Sequence, residues 1–122
     1  MAWRVEFHRD FVTEFHALTE AVQDELIALV EKLRLIGPQM KRPSADALAG
    51  SRFANMKELR FRADGGVWRV AFAFDPERRA ILLVGGDKSG IAQRQFYRAL
   101  ISKADARYSE HLAELERTRK RP

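Results

Sequence analysis

The 122-residue sequence contains no cysteine, which excludes disulfide bonds and thiolate-bound metals and is compatible with a reducing compartment. It also lacks an apolar run of the length that a membrane span requires. The first residues, Met1-Ala2-Trp3-Arg4, lead into a charged, alternating segment rather than into a signal peptide. We therefore expect a cytoplasmic protein that folds as one domain over residues 1–122 around a single core.

Motifs for the common catalytic chemistries are missing as well. The three histidines, His8, His16 and His111, are scattered and do not show the spacing of metal ligands, so no metal site is predicted. There is no nucleophile elbow, Walker loop or dinucleotide-binding fingerprint, and no cofactor is expected.

Positive charge is in excess but is concentrated in two places. The formal net charge is +5, and four of these charges come from the end of the chain, at Arg117, Arg119, Lys120 and Arg121. We interpret residues 117–122 as a basic, frayed tail. The second concentration lies on a predicted sheet, where position matters more than total charge.

The first half of the chain predicts a strand and a helical hairpin. Residues Trp3 to Phe7 alternate apolar and polar, as in a strand. Apolar residues then recur at helical spacing on both sides of Thr19, a predicted N-cap, until Gly37-Pro38 ends the second helix. Residues Pro38 to Ser51 predict a connector with one helical turn at Ala45 to Leu48.

The second half predicts three antiparallel strands followed by helices. The strands are Met56 to Arg62, Val67 to Phe74 and Ala80 to Gly86, and the nearly continuous apolar character of the third indicates a central strand covered on both sides. A helix is predicted over Ile91 to Ile101, and the pair Ser102 and Asp105 predicts a break and a further helix. The fold class is therefore α+β.

The turn Asp64-Gly65 fixes which strand residues face each other. This dipeptide favours a two-residue type I′ hairpin, which places Arg62 opposite Val67 and Arg60 opposite Arg69. One sheet face then carries apolar residues and the other carries Glu58 and the arginines, a cationic face. Facing arginines repel each other, so the pair indicates a function unless Glu58 neutralises it in an ion-pair lattice.

A cluster of arginines with a lysine and tyrosines suits the binding of phosphates and the stabilisation of charge on a phosphoryl oxygen. The segments MKELRF, GGVWRVAFAFD, ILLVGGDKSG, a helix with FY, and ADARYSEHL occur in this order. Together they resemble the HigB-like branch of the RelE/ParE toxin superfamily of type II toxin–antitoxin systems, over Val5 to Leu115.

The resemblance implies a compact domain that cuts mRNA on the ribosome without a metal, and an antitoxin partner that usually carries a helix-turn-helix domain. It also implies catalytic roles for Arg60, Arg69 and Lys88 in an attack of the RNA 2′-OH on the adjacent phosphate. The predicted RNA contacts or proton carriers are Arg62, Glu58, Tyr97, Tyr108 and, for proton transfer, His111.

Two features leave alternatives open. Many relatives carry an aromatic residue and two lysines where this chain has Gly86-Asp87-Lys88-Ser89, so one cation is replaced by an acid. Tyr97 and Tyr108 can also be explained as packing residues with wet hydroxyl groups. The competing functions are a ParE-like inhibitor of DNA gyrase and a non-catalytic relative that binds RNA or an acidic antitoxin segment.

Overall fold

The computed structural model describes residues 2–120. Strand β1 (Arg4–Phe7) is followed by helices α1 (Arg9–His16) and α2 (Glu20–Ile36), a 3₁₀ turn and the short strand β2 (Ala45–Ala47). Strands β3 (Met56–Ala63), β4 (Gly66–Phe74) and β5 (Arg79–Asp87) come next, and the long helix α3 (Gln93–Arg119) ends the fold. The predicted α+β class, helical hairpin and three-stranded meander are confirmed.

The five strands form one sheet in the order β1-β5-β4-β3-β2. Strand β1 pairs in parallel with β5, whereas the other neighbours are antiparallel. Strand β5 therefore lies inside the sheet, as its apolar sequence predicts, and residues Ala80 to Val84 are buried.

Each face of the sheet has its own core. Leu59, Val70 and Phe72 pack on one face against α1 and α2. The opposite face carries Ala71 and Ala73, whose small side chains let α3 pack closely against the sheet. Helix α3 therefore covers most of the face that was predicted to carry Glu58 and the arginines, so that face is cationic only beside the hairpin.

Two predictions about local structure are corrected. Ala45 to Leu48 do not form a helical turn, because Ala45–Ala47 pair with β3 as strand β2; Ala45 packs into one core and Leu48 into the other. Helix α3 also continues through Ser102. Instead of capping a new helix, the Asp105 carboxylate accepts hydrogen bonds from Ser51 Oγ at 2.5 Å and Arg52 N at 3.1 Å, which ties the connector to α3.

The C-terminal end of α3 differs from the predicted frayed tail over part of its length. Residues 117–119 continue the helix, and Lys120 caps it. Arg121 and Pro122 lie outside the described residues. None of the helices within residues 2–120 combines the length and apolar character that crossing a membrane requires.

Arg107 joins three elements beneath α3. Its guanidinium donates to both carboxylate oxygens of Glu14 on α1, at 2.8 and 2.6 Å, and to the carbonyl oxygen of Leu83 on β5 at 2.7 Å. The β4–β5 register shifts beside Leu83, because Ala71 pairs with Val84 and Phe72 with Leu82. The side chain of Arg107 thus satisfies a carbonyl at this irregularity.

Replacing Arg107 with methionine should lower the free energy of unfolding by about 2–4 kcal/mol, because it leaves the Leu83 carbonyl and the Glu14 carboxylate without their donor. The control is Arg98→Ala, at an exposed arginine of the same helix, which we expect to change stability by less than about 0.5 kcal/mol. Urea unfolding of both variants measures the difference. Equal stabilities would contradict the role of Arg107.

His8 caps the N-terminus of α1. Its Nδ1 accepts a hydrogen bond from the backbone N–H of Asp10 at 3.1 Å, so the ring proton lies on Nε2, which faces Glu110 Oε1 at 3.2 Å. Burial lowers the pKa of His8 below its ordinary 6.5 and Arg107 acts in the same direction, while Asp10 and Glu110 oppose the shift. The folded state therefore favours the neutral ring.

Because the unfolded chain takes up the His8 proton at a higher pH than the folded chain, this contribution to stability is present above pH 6.5 and declines as the pH falls below it. His8→Asn keeps a capping side chain but does not titrate. The stability of the wild type relative to His8→Asn should thus fall between about pH 8 and about pH 5.5. Urea unfolding at both pH values tests this, and a constant difference would refute it.

Candidate functional site

The β3–β4 hairpin brings the predicted arginines together on one sheet face. Asp64 and Gly65 both have positive φ, at 51° and 77°, as a type I′ turn requires. The observed register places Arg62 opposite Val67 and Arg60 opposite Arg69, as the turn predicts. The two guanidinium groups therefore belong to neighbouring strands on the side covered by α3.

A nearly buried carboxylate lies between the two arginines. Glu58, only 4% exposed, accepts a hydrogen bond from Arg60 Nη1 at 2.8 Å, and its other oxygen lies 3.9 Å from Arg69 Nε. Glu58 thus offsets the repulsion that two facing arginines would otherwise cause. The predicted ion pairing by Glu58 exists, in a buried network rather than on a solvated face.

Tyr97 on α3 completes this network. Its hydroxyl donates to Glu58 Oε1 at 2.9 Å and accepts from Arg69 Nε at 3.2 Å, while Arg69 Nη1 donates to the carbonyl oxygen of Trp68 at 2.9 Å. Arg69 is only 6% exposed. Burial raises the pKa of Tyr97, and the Glu58 carboxylate adds to this shift although Arg69 opposes it. Tyr97 therefore stays protonated at neutral pH and holds Arg69 in place.

A cavity of about 320 Å³ opens at the hairpin side of this network. Four arginines line it together with three apolar residues; the full lining is Arg42, Pro43, Arg60, Phe61, Arg62, Val67 and Arg69. Arg62 and Arg42 are exposed, whereas Arg69 reaches the cavity from below. No acidic side chain of residues 2–120 lines this arginine pocket. Guanidinium groups match the geometry of phosphate oxygens, so the pocket suits a phosphodiester.

Asp87 ends β5, and Lys88 follows it beside the start of β4. Lys88 is partly exposed, and its backbone N–H donates at 2.8 Å to the carbonyl oxygen of Val67, a residue that lines the pocket. The Asp87 carboxylate accepts from the N–H groups of Ser89 and Val67 at 2.9 and 3.0 Å. Bonds from Ser89 lower the pKa of Asp87. Asp87, which stands where the resemblance led us to expect a cation, therefore stabilises the turn after β5.

Tyr108 is not brought to the pocket, although the resemblance suggested an RNA contact. It is 3% exposed, and its hydroxyl bonds the carbonyl oxygen of Phe74 and the Asn55 amide, both at 3.2 Å. It follows Tyr97 by eleven positions, or about 16 Å along a helix. His111 likewise bonds Asp75 rather than the arginines. Their surroundings explain both as packing and pairing residues.

Within residues 2–120, one cluster of side chains brings together atoms of the types that ligate metals. His8, Asp10 and Glu110 place one such atom each within 4.8 Å of the others. Both ring nitrogens of His8 already face partners, so the group is explained by the helix cap described above. A depression of about 400 Å³ beside it is lined by acids and bases alike, among them Glu6, Glu110 and Arg117, and suits a phosphate less well.

Arg42 is the pocket arginine that was not predicted from the sequence as a site residue. It belongs to the connector before β2, a segment predicted only as irregular structure. The hydrogen bond from Arg60 N to Ser44 O, at 2.8 Å, attaches this connector to the edge of β3. The available signal was the basic pair Lys41-Arg42 directly before a segment that alternates between the two cores.

The fold and the site define a class of protein: an α+β domain with an arginine pocket beside its central hairpin. The fold of this chain matches a known toxin structure. A solved structure of the Escherichia coli toxin RelE, a double arginine-to-alanine mutant in the free state, superimposes with a TM-score of 0.60 over 84% of this chain and 97% of that chain. At 15% identity this likeness establishes the RelE-like fold alone.

Residues 13–109 match the family described as "Phage derived protein Gp49-like (DUF891)". Two Mycobacterium tuberculosis (strain ATCC 25618 / H37Rv) proteins are similar over most of the chain. "Putative toxin HigB2" is 40% identical over 85% of this chain and 52% of its own length, and "Putative toxin HigB3" is 42% identical over 81% and 84%. The chain thus spans about half the length of the first relative.

This chain belongs to the Gp49-like family, and its predicted resemblance to the HigB-like branch of the RelE/ParE superfamily is confirmed.

Replacing Tyr97 with phenylalanine should lower the free energy of unfolding by about 1–3 kcal/mol, because Glu58 and Arg69 each lose a buried partner. It should also reduce the stabilisation by inorganic phosphate at constant ionic strength, since Arg69 is no longer held at the pocket. Tyr108→Phe is the matched control: it removes a buried hydroxyl from the same helix and should leave the phosphate effect unchanged. Thermal unfolding with and without phosphate distinguishes the two variants.

Proposed function

We propose that this protein is the toxin of a type II toxin–antitoxin pair and that it cleaves translated mRNA at the ribosome without a metal. The observation that carries the proposal is the arginine pocket: four arginines line one cavity beside a RelE-like hairpin, in a chain whose relatives are named as toxins. A pocket of this composition binds the phosphodiester backbone and stabilises extra charge on it.

In the proposed reaction the 2′-oxygen of the RNA attacks the adjacent phosphorus and the bond to the 5′-oxygen breaks. The products are a cyclic 2′,3′-phosphate and a free 5′-hydroxyl. Arg60 and Arg69 stabilise the pentacoordinate phosphate, because their donors lie on neighbouring strands of the same sheet face. Lys88, whose backbone bonds to the pocket residue Val67, neutralises or protonates the leaving oxygen.

The proton of the 2′-hydroxyl has to be taken up by a nearby group. Of the predicted carriers, Glu58 and Tyr97 adjoin the arginines, whereas Tyr108 and His111 bond to groups elsewhere. Both oxygens of Glu58 are hydrogen-bonded in the structure. Glu58 does not line the pocket, so it could act only through a rearrangement that frees one of these oxygens, and Glu58 and Tyr97 both stay candidates for the base.

The proposed partner is an antitoxin of the HigA-like, helix-turn-helix type. The helical hairpin exposes large apolar side chains that a partner chain can cover: Val12, Ile27, Leu35 and Ile36, of which Leu35 is 75% exposed. Co-purification of a neighbouring gene product with the protein would support this surface, and substitution of Leu35 and Ile27 by serine should then weaken the complex.

We expect Arg60→Ala and Arg69→Lys each to reduce mRNA cleavage by about 10²-fold, since each removes a guanidinium that stabilises the phosphoryl charge. Arg69→Lys is preferred to alanine at the buried position because it keeps a positive charge opposite Glu58. Arg34→Ala, at an exposed arginine of α2, is the control and should retain full cleavage. The measurement is the mapping of mRNA 5′ ends after expression.

The outcomes separate the candidate functions. In-frame cuts in translated messages that disappear in the pocket variants support the nuclease. A supercoiling defect without cuts would point instead to a gyrase inhibitor. If neither effect appears, the protein acts by binding alone. Thermal unfolding of each variant shows that lost activity does not reflect lost folding.

A further inference from the structure

One wall of the arginine pocket comes from outside the hairpin. Arg42 and Pro43, from the connector that precedes β2, line the cavity together with the strand arginines. The connector is fixed there by the Arg60–Ser44 backbone bond and by β2, whose residues Ala45–Ala47 pair with Lys57–Leu59. Arg42 is therefore held beside Arg60 by main-chain structure and not by its own flexible side chain.

The guanidinium of Arg42 is accessible to solvent, and its ion pair with Asp46 lies near the surface. Its Nε donates to Asp46 Oδ2 at 2.9 Å, while the Arg42 side chain is 68% exposed. The hydrogen bond from Arg42 lowers the pKa of Asp46, and the charge of Arg60 contributes to the same shift, so both arginines act on this one carboxylate. An exposed ion pair of this kind contributes little to stability, and a phosphate can replace the carboxylate at small cost.

The two carboxylates beside the pocket are related by the sheet. Asp46 on β2 is paired with Glu58 on β3, so both point to the α3 side; Asp46 binds Arg42, and Glu58 binds Arg60 and lies 3.9 Å from Arg69. Glu58 is almost fully buried under α3, whereas Asp46 is partly exposed on the edge strand β2. The pocket thus has an inner arginine–carboxylate pair at the proposed reaction centre and an outer pair at its mouth.

We propose that Arg42 is a second contact to the RNA backbone, at a phosphate next to the one held by Arg60 and Arg69, and that Asp46 keeps its guanidinium positioned until RNA arrives. This inference rests on the proposed function, because it assigns a further substrate-binding residue to the same site. Arg42 binds RNA through charge and does not take part in bond cleavage.

The test is the salt dependence of binding to a short single-stranded RNA oligonucleotide. Each phosphate contact of a single strand contributes about 0.7 to the slope of log K against log salt concentration. Arg42→Ala should therefore reduce the magnitude of the slope by about 0.7 relative to the full-length wild type. Arg42→Lys should keep the wild-type slope, because it keeps the charge.

Two further variants make the result specific. Arg34→Ala removes an exposed arginine on α2 that pairs with Glu31, and its slope should equal that of the wild type. Arg62→Ala, within the pocket, should reduce the slope and so reports on the strand arginines. An unchanged slope in Arg42→Ala, with a reduced slope in Arg62→Ala, would overturn the role of Arg42 and leave the proposed function standing.

Failure of the wild type to bind the oligonucleotide would likewise overturn the inference. Failure of the wild type to cut translated mRNA, in the expression experiment above, would instead overturn the proposed function. The two results are independent, because one measures binding to free RNA and the other measures cut ends on translated messages.

Discussion

The site depends on a single carboxylate shared among cations under a helix. Two arginines that face each other on neighbouring strands repel, and Glu58 offsets this repulsion from within the sheet. Removing one partner of such a buried group leaves an uncompensated charge, so the arginines, Glu58 and the Tyr97 hydroxyl form one unit. The position of Arg69 at the pocket therefore depends on α3 as much as on β4.

Helix α3 has two roles because of where its residues fall along its axis. Near its start, Tyr97 reaches the charged network, and further along, Leu100 and Ala104 pack on the small residues of β4. Arg107 then binds α1 and the irregular part of β5. Packing of one continuous helix thus fixes both the core of the second sheet face and the orientation of the groups at the pocket.

Local signals predicted much of this fold, and contacts distant in sequence account for what was missed. The Asp64-Gly65 turn fixed the hairpin register, since turn chemistry acts within a few residues. Ser102 and Asp105 looked like a helix start, but Asp105 bonds to Ser51 and Arg52, more than fifty residues away. No local pattern could show that α3 would cover Arg69, or that Arg42 from the connector would join the strand arginines.

The turn after β5 makes the distribution of positive charge around the arginine pocket uneven. The Asp87 carboxylate accepts hydrogen bonds from backbone N–H groups there and keeps its negative charge, which partly offsets the charge of the neighbouring Lys88. On the opposite rim, the connector and the hairpin tip present Arg42 and Arg62 to solvent. Positive charge is consequently distributed asymmetrically around the cavity, and the proposed function places the approach of the RNA on the β2 side, from which it reaches the β3–β4 arginines.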